Sequence, residues 1–320
     1  CGREADTQQL LSQVHQAPLV IVLGASGSGK SSLVMGGVLP ALPGSEAGPG
    51  LIVVPPFVPG NAVLESLAKS VLQDVPNAGD HVREAAELLL NNPRHLSLMV
   101  GGAEAPPTLI TIDQFEEVFT LATPTDREAL VSNLGQLLEA GRGHRVILTV
   151  REEFRSRIVE LRALSPYLDK AWYSMRPMSY DELKAAVERP AALVNLQFQS
   201  GIVDDLVKKV LGQPAALPLL QFTLRMLWEK RDRNRITREV YQKVGDPLNA
   251  LTANADAFYD RQMPETQNEI KRILLELVRV DELLEAYRQP VPRTHLMRAG
   301  KANTEEVLEL LDQNDYVRIS

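Results

Sequence analysis

Residues Gly24-Ala25-Ser26-Gly27-Ser28-Gly29-Lys30-Ser31 follow directly on the apolar run Pro18–Leu23, and together they leave this chain few ways to fold. Glycine, four residues, then Gly-Lys-Ser is the spacing of a phosphate-binding loop, which works only between a buried strand and a helix N-terminus. Gly24, Ser26, Gly27, Ser28 and Gly29 are small enough for backbone N–H groups to turn inward around a β-phosphate. Lys30 has the reach for the β- and γ-phosphates, and Ser31 offers a hydroxyl to Mg²⁺. A helix predicted over Ser31–Leu42, with Ser32 in its first turn, turns its positive end toward the same anion. The expected ligand is a nucleoside triphosphate with Mg²⁺.

Four further β-rich runs stand at strand length, namely Leu51–Val54, Leu109–Ile112, Val146–Val150 and Trp172–Met175. The first three are nearly continuous in apolar residues, as in strands of a parallel sheet buried on both faces. Helical patterns lie between them at Ala62–Leu72, Glu84–Leu90 and Asp126–Ala140, the last preceded by a capping-box pattern at Thr125-x-x-Glu128. Strands alternating with helices predict an α/β fold, a parallel P-loop sheet sandwiched by helices, with ligands at the C-terminal strand ends.

After residue 178 the β signal stops. Ser179-x-x-Glu182 predicts a capped helix to Ala191, followed by helices at Val203–Leu211, Ala215–Asp232 and Leu248–Gln262. Pro218 falls in the first turn of the third of these, where proline is tolerated. The basic stretch Lys230–Arg235 sits at a helix C-terminus, where cations favour the helix dipole. From Pro264 the order is helix Pro264–Val280, helix Arg293–Ala299, helix Thr304–Gln313 with Asn303 as cap, then a short strand at Tyr316–Ser320. That is the order of a winged helix cut off before its wing. The expected domains are 1–178, a P-loop nucleotide-binding domain; 179–262, a helical lid; and 263–320, an incomplete winged helix.

The third strand ends in Asp113-Gln114-Phe115-Glu116-Glu117. An aspartate at the tip of a strand beside a phosphate loop is a second anchor for Mg²⁺, and a following carboxylate can polarise an attacking water. Glu116 and Glu117 are both candidates for that water, with Glu117 preferred; the structural alternative is an acidic helix N-terminus. The fourth strand ends in Thr149-Val150-Arg151, which directs Arg151 to a γ-phosphate unless it pairs with Glu152 or Glu153 at the surface.

Composition narrows the function classes. The chain has 320 residues, 44% of them apolar, enough for two or three packed domains. A net charge of −7 argues against a general nucleic-acid binder. The single cysteine, Cys1, excludes an internal disulfide framework and suits a reducing cytoplasm. His15, His81, His95, His144 and His295 lack metal-ligand spacing. No apolar run approaches the roughly 18 residues of a membrane span. The chain opens on Cys1 and closes on a shortened strand, as expected of a piece of a larger protein.

With these stations in place, the chain resembles the STAND-class P-loop ATPases, in particular the bacterial novel STAND NTPases often fused to β-propeller repeats. Gly2-Arg3-Glu4-Ala5-Asp6 is similar to that family's adenine-touching element, which assigns Arg3 to the base. Asp113–Glu117 and Thr149-x-Arg151 match its metal and first-sensor stations, and Ala216-Leu217-Pro218-Leu219-Leu220 its Gly-x-Pro element, which assigns Pro218 to adenine. Ala216 stands where the family usually has glycine, and Met35 where relatives often have Arg. The resemblance implies a slow ATP/ADP switch, with dATP as a further nucleotide, closed with ADP by the winged helix and opened by ATP to homo-oligomerise. Its effector and sensor domains would lie in the rest of the protein.

A replication-loader-like DNA-handling ATPase is the alternative, since it also joins a P-loop domain to a winged helix. The recognition helix of that reading, Asn303–Asn314, carries Glu305, Glu306, Glu309 and Asp312 and no Lys or Arg, which sets it against DNA phosphates. A non-hydrolysing scaffold has no need of Lys30, Ser31, Asp113 and an acidic pair together, and no acceptor pocket of a metabolic kinase is evident.

Overall fold

The computed structural model describes residues 2–45, 50–73, 78–101, 106–213, 215–280, 286–288, 291–299, 303–314 and 316–317. Helix α1 (Glu4–Gln16) precedes strand β1 (Leu19–Gly24) and helix α2 (Lys30–Leu33). A π-helical stretch (Val34–Val38) and α3 (Leu39–Ala41) continue α2 before β2 (Ile52–Val53). Helices α4 (Val63–Val71), α5 (Ala78–Asn91) and α6 (His95–Met99) lead to β3 (Thr108–Ile112). Then come α7 (Glu117–Thr120), α8 (Pro124–Glu139), β4 (Arg145–Arg151), α9 (Arg155–Val159) and β5 (Trp172–Ser174).

These five strands form one parallel sheet in the order β2-β3-β4-β1-β5. Alternate residues of β1 serve two cores: Leu19, Ile21 and Leu23 face Leu67, Leu89 and Leu134, while Val20 and Val22 face Leu10, Val14 and Leu33. Each fully buried Leu or Val contributes about 1.5–3 kcal/mol, so double-sided burial fixes the register of the central strands. Gly24 lies level with Arg151, and Ile112 with Leu148. The loops after β1, β3 and β4 therefore open at one edge of the sheet, as expected for ligand binding in this fold class.

Local structure departs from the sequence pattern in several places. The expected helix over Ser31–Leu42 is interrupted by the π stretch, because Pro40 has no N–H to donate one turn back and its ring crowds that carbonyl. Gly37 in this stretch lets α1 approach; a Cβ there would come within 2.7 Å of Thr7 Oγ1. The cap of helix α8 lies two residues before the expected one: Thr123 accepts from the Asp126 amide and Pro124 takes the first turn, where its fixed φ suits a helix start. The region after residue 178 is not wholly helical. Helices α10 (Tyr180–Leu193), α11 (Ile202–Val210), α12 (Ala216–Glu229) and α13 (Arg238–Val244) are joined by a short parallel pair, β6 (Gln197–Phe198) and β7 (Arg235–Ile236). Two-residue strands carry too little periodicity to be read from sequence. The Ser179–Glu182 capping box of α10 forms as expected.

One compact unit runs to Lys243 and a second from Val244 onward. The second contains α14 (Pro247–Asp260), α15 (Pro264–Glu276), the antiparallel pair β8 (Val278–Val280) and β9 (Ala286–Arg288), α16 (Arg293–Ala299) and α17 (Thr304–Gln313). A further departure is here: α15 stops at Glu276 and its expected last turn becomes β8, where β-branched Val278 and Val280 alternate. Ile270, Ile273, Leu296, Val307, Leu308 and Leu311 form its core, so α15, α16 and α17 give the three helices expected of a winged helix. Of the terminal strand expected at Tyr316–Ser320, Tyr316 and Val317 form a bend and 318–320 lie outside the described residues.

Candidate functional site

The phosphate loop closes β1 with two residues in the left-handed region, Gly27 at φ +73° and Gly29 at φ +92°. Non-glycine residues pay about 1–2 kcal/mol for that conformation, which is why the loop is built of glycine here. Ser26 and Ser32 are exposed at the loop and helix start, and Ser28 is half-buried with an unpartnered hydroxyl. Lys30 is buried, and its Nζ donates to the carbonyls of Gly24 at 2.8 Å and Ala25 at 2.9 Å. Burial is the main cause that lowers its pKa, and Glu116 acts against that.

Opposite the loop, the buried Asp113 accepts from Ser31 Oγ at 2.8 Å and from Thr149 Oγ1 at 2.5 Å, both on Oδ1. A hydroxyl and a carboxylate side by side next to a phosphate loop fit Mg²⁺, which takes few protein oxygens and completes its shell with water and phosphate. Glu116 is buried; its Oε1 takes Arg151 Nε at 3.1 Å while its Oε2 has no partner. Arg151 also approaches Glu153 at 3.8 Å, so its main partner is a buried carboxylate of the site and not the surface pair weighed from sequence. Glu117 Oε2 accepts from the Gly60 amide at 3.0 Å, and burial, the largest influence, raises its pKa. A carboxylate raised in this way is a better proton acceptor near neutrality.

Two elements distant in sequence reach the loop. Arg3 donates to Asp6 Oδ2 at 3.0 Å, to the Arg176 carbonyl at 2.9 Å and to the Ser28 carbonyl at 3.4 Å. Asp6 is buried and also accepts from Tyr173 at 2.6 Å; burial and that bond raise the Tyr173 pKa. The first turn of α12 rests on the loop itself: a Cβ at Gly27 would meet Pro218 Cγ at 2.7 Å, and one at Gly29 would meet Leu217 Cδ1 at 3.1 Å. The structure thus gathers Arg3, the loop, Asp113, Glu116, Glu117, Arg151 and Pro218 around one edge of the sheet.

His295 belongs to the second unit, where it lies 3.9 Å from Glu276. Gly60 and Tyr173 had no signal of their own in the sequence, and Thr149 appeared there only as part of Thr149-x-Arg151. They act through contacts made only in the fold, with partners 57, 167 and 36 positions away. Among the described residues no helix is long and apolar enough to cross a membrane.

The sequence model of the family described as Novel STAND NTPase 1 matches residues 1–319. No match was found among curated proteins. Among solved structures the chain is similar to the Walker-type ATPase paby2304 of Pyrococcus abyssi, at 15% identity over 97% of this chain and 88% of that one, TM-score 0.52. It is also similar to the Orc1 protein of Aeropyrum pernix in complex with DNA, at 15% identity over 98% and 83% of the two chains, TM-score 0.51. For Cdc6p from Pyrobaculum aerophilum the values are 13% identity, 98% and 86%, and 0.52. At such identities the likeness is one of fold.

Proposed function

The chain belongs to the Novel STAND NTPase 1 family, and from that premise we propose that it is the ATP-driven switch module of a larger signalling protein. The single observation that carries this reading is the seating of Leu217 and Pro218 on Gly29 and Gly27. A lid helix in contact with the phosphate loop must respond to what the loop holds. Nucleotide, ATP or dATP against ADP, then sets the balance between a closed and an open form by its differential affinity for the two.

In this scheme the loop amides, Lys30 and Ser31 hold the phosphates, Ser32 and Ser26 flank them, and Arg3 and Pro218 border the base. Mg²⁺ supplies charge neutralisation at the β- and γ-phosphates when bound, held through Ser31 and Asp113. Glu117 activates water, with Glu116 held by Arg151, and Arg151 senses the third phosphate. Turnover is slow and resets the switch; the ATP form assembles into a homo-oligomer in the cytoplasm. Effector and sensor domains elsewhere in the protein complete the output.

DNA handling is the other reading, since one fold neighbour is a protein solved in complex with DNA. The acidic first turn of α17, Glu305 and Glu306, and Glu309 and Asp312 beyond it, count against it. Glu305 pairs with Arg293, which removes a cation from that surface.

The test is the nucleotide that purifies with the protein. Denaturation and chromatography should release about one ADP per chain, with ATP hydrolysis in parallel very slow. An empty site with rapid, unregulated hydrolysis refutes the switch. Salt-sensitive duplex binding would restore the DNA reading.

A further inference from the structure

Thr149 occupies a place where a strand needs only an apolar side chain. It lies in β4 between Leu148 and Val150, fully buried, and valine serves a two-faced parallel strand equally well. A buried hydroxyl is unfavourable unless it is hydrogen-bonded. Thr111 in β3 shows the unbonded case: it lies on the same face of the sheet as Thr149, is fully buried, and its hydroxyl has no partner. The two threonines differ in what their hydroxyls do.

The Thr149 hydroxyl works in both directions. It donates to Asp113 Oδ1 at 2.5 Å and accepts from the Gln114 amide at 3.0 Å. The carbonyl of the same residue accepts from the Phe115 amide at 2.9 Å. One residue of β4 therefore holds three consecutive residues at the end of β3.

The middle one, Gln114, has φ +53°, a left-handed conformation that a non-glycine residue adopts only under constraint. This turn carries the chain from Asp113 into Glu116 and Glu117. The opposite side is held by the segment before α4: the Phe57 carbonyl accepts from the Asp113 amide at 2.8 Å, and the Gly60 amide donates to Glu117. Because threonine is branched at Cβ, its rotamer is stiff and its hydroxyl is aimed in advance.

We propose that Thr149 is a positioning residue for the metal side of this site, fixing the Asp113 carboxylate and the Gln114 turn together through one hydroxyl. The inference rests on the reading of Ser31 and Asp113 as the Mg²⁺ station. Ser31 and Thr149 both donate to Oδ1, so Oδ2 takes neither hydroxyl. With Ser31 assigned to the metal, Thr149 is the hydroxyl left to orient the carboxylate while it holds the Gln114 turn. Groups that orient a metal-binding residue in this way are worth roughly 10- to 100-fold in metal affinity or activity.

Three variants of the full chain test this: Thr149→Val removes the hydroxyl, Thr149→Ser keeps it, and Thr111→Val is the control. Without nucleotide or metal, amide hydrogen exchange across Asp113–Glu117 should quicken in Thr149→Val and stay at the wild-type rate in the other two. Binding of a fluorescent ATP analogue in EDTA should be equal in all four proteins. The Mg²⁺ concentration at half-maximal hydrolysis should rise roughly 10- to 100-fold in Thr149→Val. At saturating Mg²⁺ its kcat should fall with KM for ATP unchanged, and Thr149→Ser should restore both. A wild-type Mg²⁺ midpoint and unaltered exchange in Thr149→Val overturn the inference. So does equal impairment of Thr149→Val and Thr149→Ser with ATP binding in EDTA lost in both, which makes Thr149 a packing residue. A wild-type chain that binds no ATP refutes the proposed function itself and this inference with it, and that arm is read without any variant.

Discussion

Gly27→Ala tests whether the first turn of α12 rests on the phosphate loop in solution. Two separable effects oppose the new methyl group. The first is conformational: Gly27 sits at φ +73°, and an L side chain there costs about 1–2 kcal/mol. The second is steric, because the Cβ would lie 2.7 Å from Pro218 Cγ and 3.2 Å from Cδ. Those atoms belong to a ring in a helix, which cannot swing aside as the end of a flexible chain can, and such overpacking costs about 1–3 kcal/mol. The sum is about 2–5 kcal/mol in the wild-type background. Pro218→Ala removes both ring carbons, so in that background Gly27→Ala should cost only the conformational part, about 1–2 kcal/mol. The coupling from the double-mutant cycle is the difference, about 1–3 kcal/mol. Urea unfolding followed by tryptophan fluorescence measures it. The chain has two tryptophans, Trp172 in β5 and Trp228 in α12, and both lie in the first compact unit. An equal cost for Gly27→Ala in both backgrounds refutes the contact and, with it, the observation on which the switch proposal stands.

Lys30→Ala should lose most of its affinity for ATP, and for ADP less, because Lys30 is assigned to the β- and γ-phosphates; calorimetric titration with each nucleotide decides. Glu117→Gln should bind ATP and fail to hydrolyse it. In the wild type the rate should fall as pH drops through the Glu117 pKa, which burial places above the ordinary carboxylate value of 4.5, and retained hydrolysis in Glu117→Gln would move the role to Glu116. His144 is buried, accepts from the Thr108 amide at 3.1 Å through Nδ1, and has its pKa lowered from 6.5, chiefly by burial. The unfolded chain therefore takes up this proton first, so the stability contribution of neutral His144 is intact above 6.5 and is lost as pH falls below it. The urea midpoint should drop between about pH 7.5 and about pH 5.5, and by less in His144→Gln; equal slopes would contradict the assignment.

The central sheet was legible because its strands are buried on both faces, and that burial leaves an unbroken apolar run in the sequence. Leu19–Leu23 is such a run and Val146–Val150 is one but for Thr149, and they became β1 and β4 within one residue at each end. The edges of elements were less legible where proline and a local cap compete. Thr125 and Glu128 had the spacing of a capping box, yet Pro124 fits the first turn better and moved the cap of α8 to Thr123. Pro40 was visible in the sequence, but whether a helix meets a proline by ending or by widening depends on what packs against it. Here Gly37 under Thr7 of α1 accompanies a π stretch, and the helix continues.

The site divides along a similar line. Lys30, Ser31 and the phosphate loop are local in sequence, so a single motif places them. Asp113 and Arg151 needed one further step, that parallel strands end at a common edge. What no spacing encodes is the pairing among them. At the tip of β4, Arg151 had two readings, toward phosphate or toward its neighbours in sequence, and the fold presents Glu116, 35 positions away, as its nearest partner. This has an energetic consequence for sensing. Breaking a buried ion pair by withdrawing one partner typically costs about 3–5 kcal/mol, because the other charge is left uncompensated. Arg151 can turn to a third phosphate only if that new bond, together with rehydration of Glu116, offsets this cost. A diphosphate offers no partner there. On the proposed sensor role of Arg151, the same pair that hides it from a sequence reading sets a threshold between the two nucleotides.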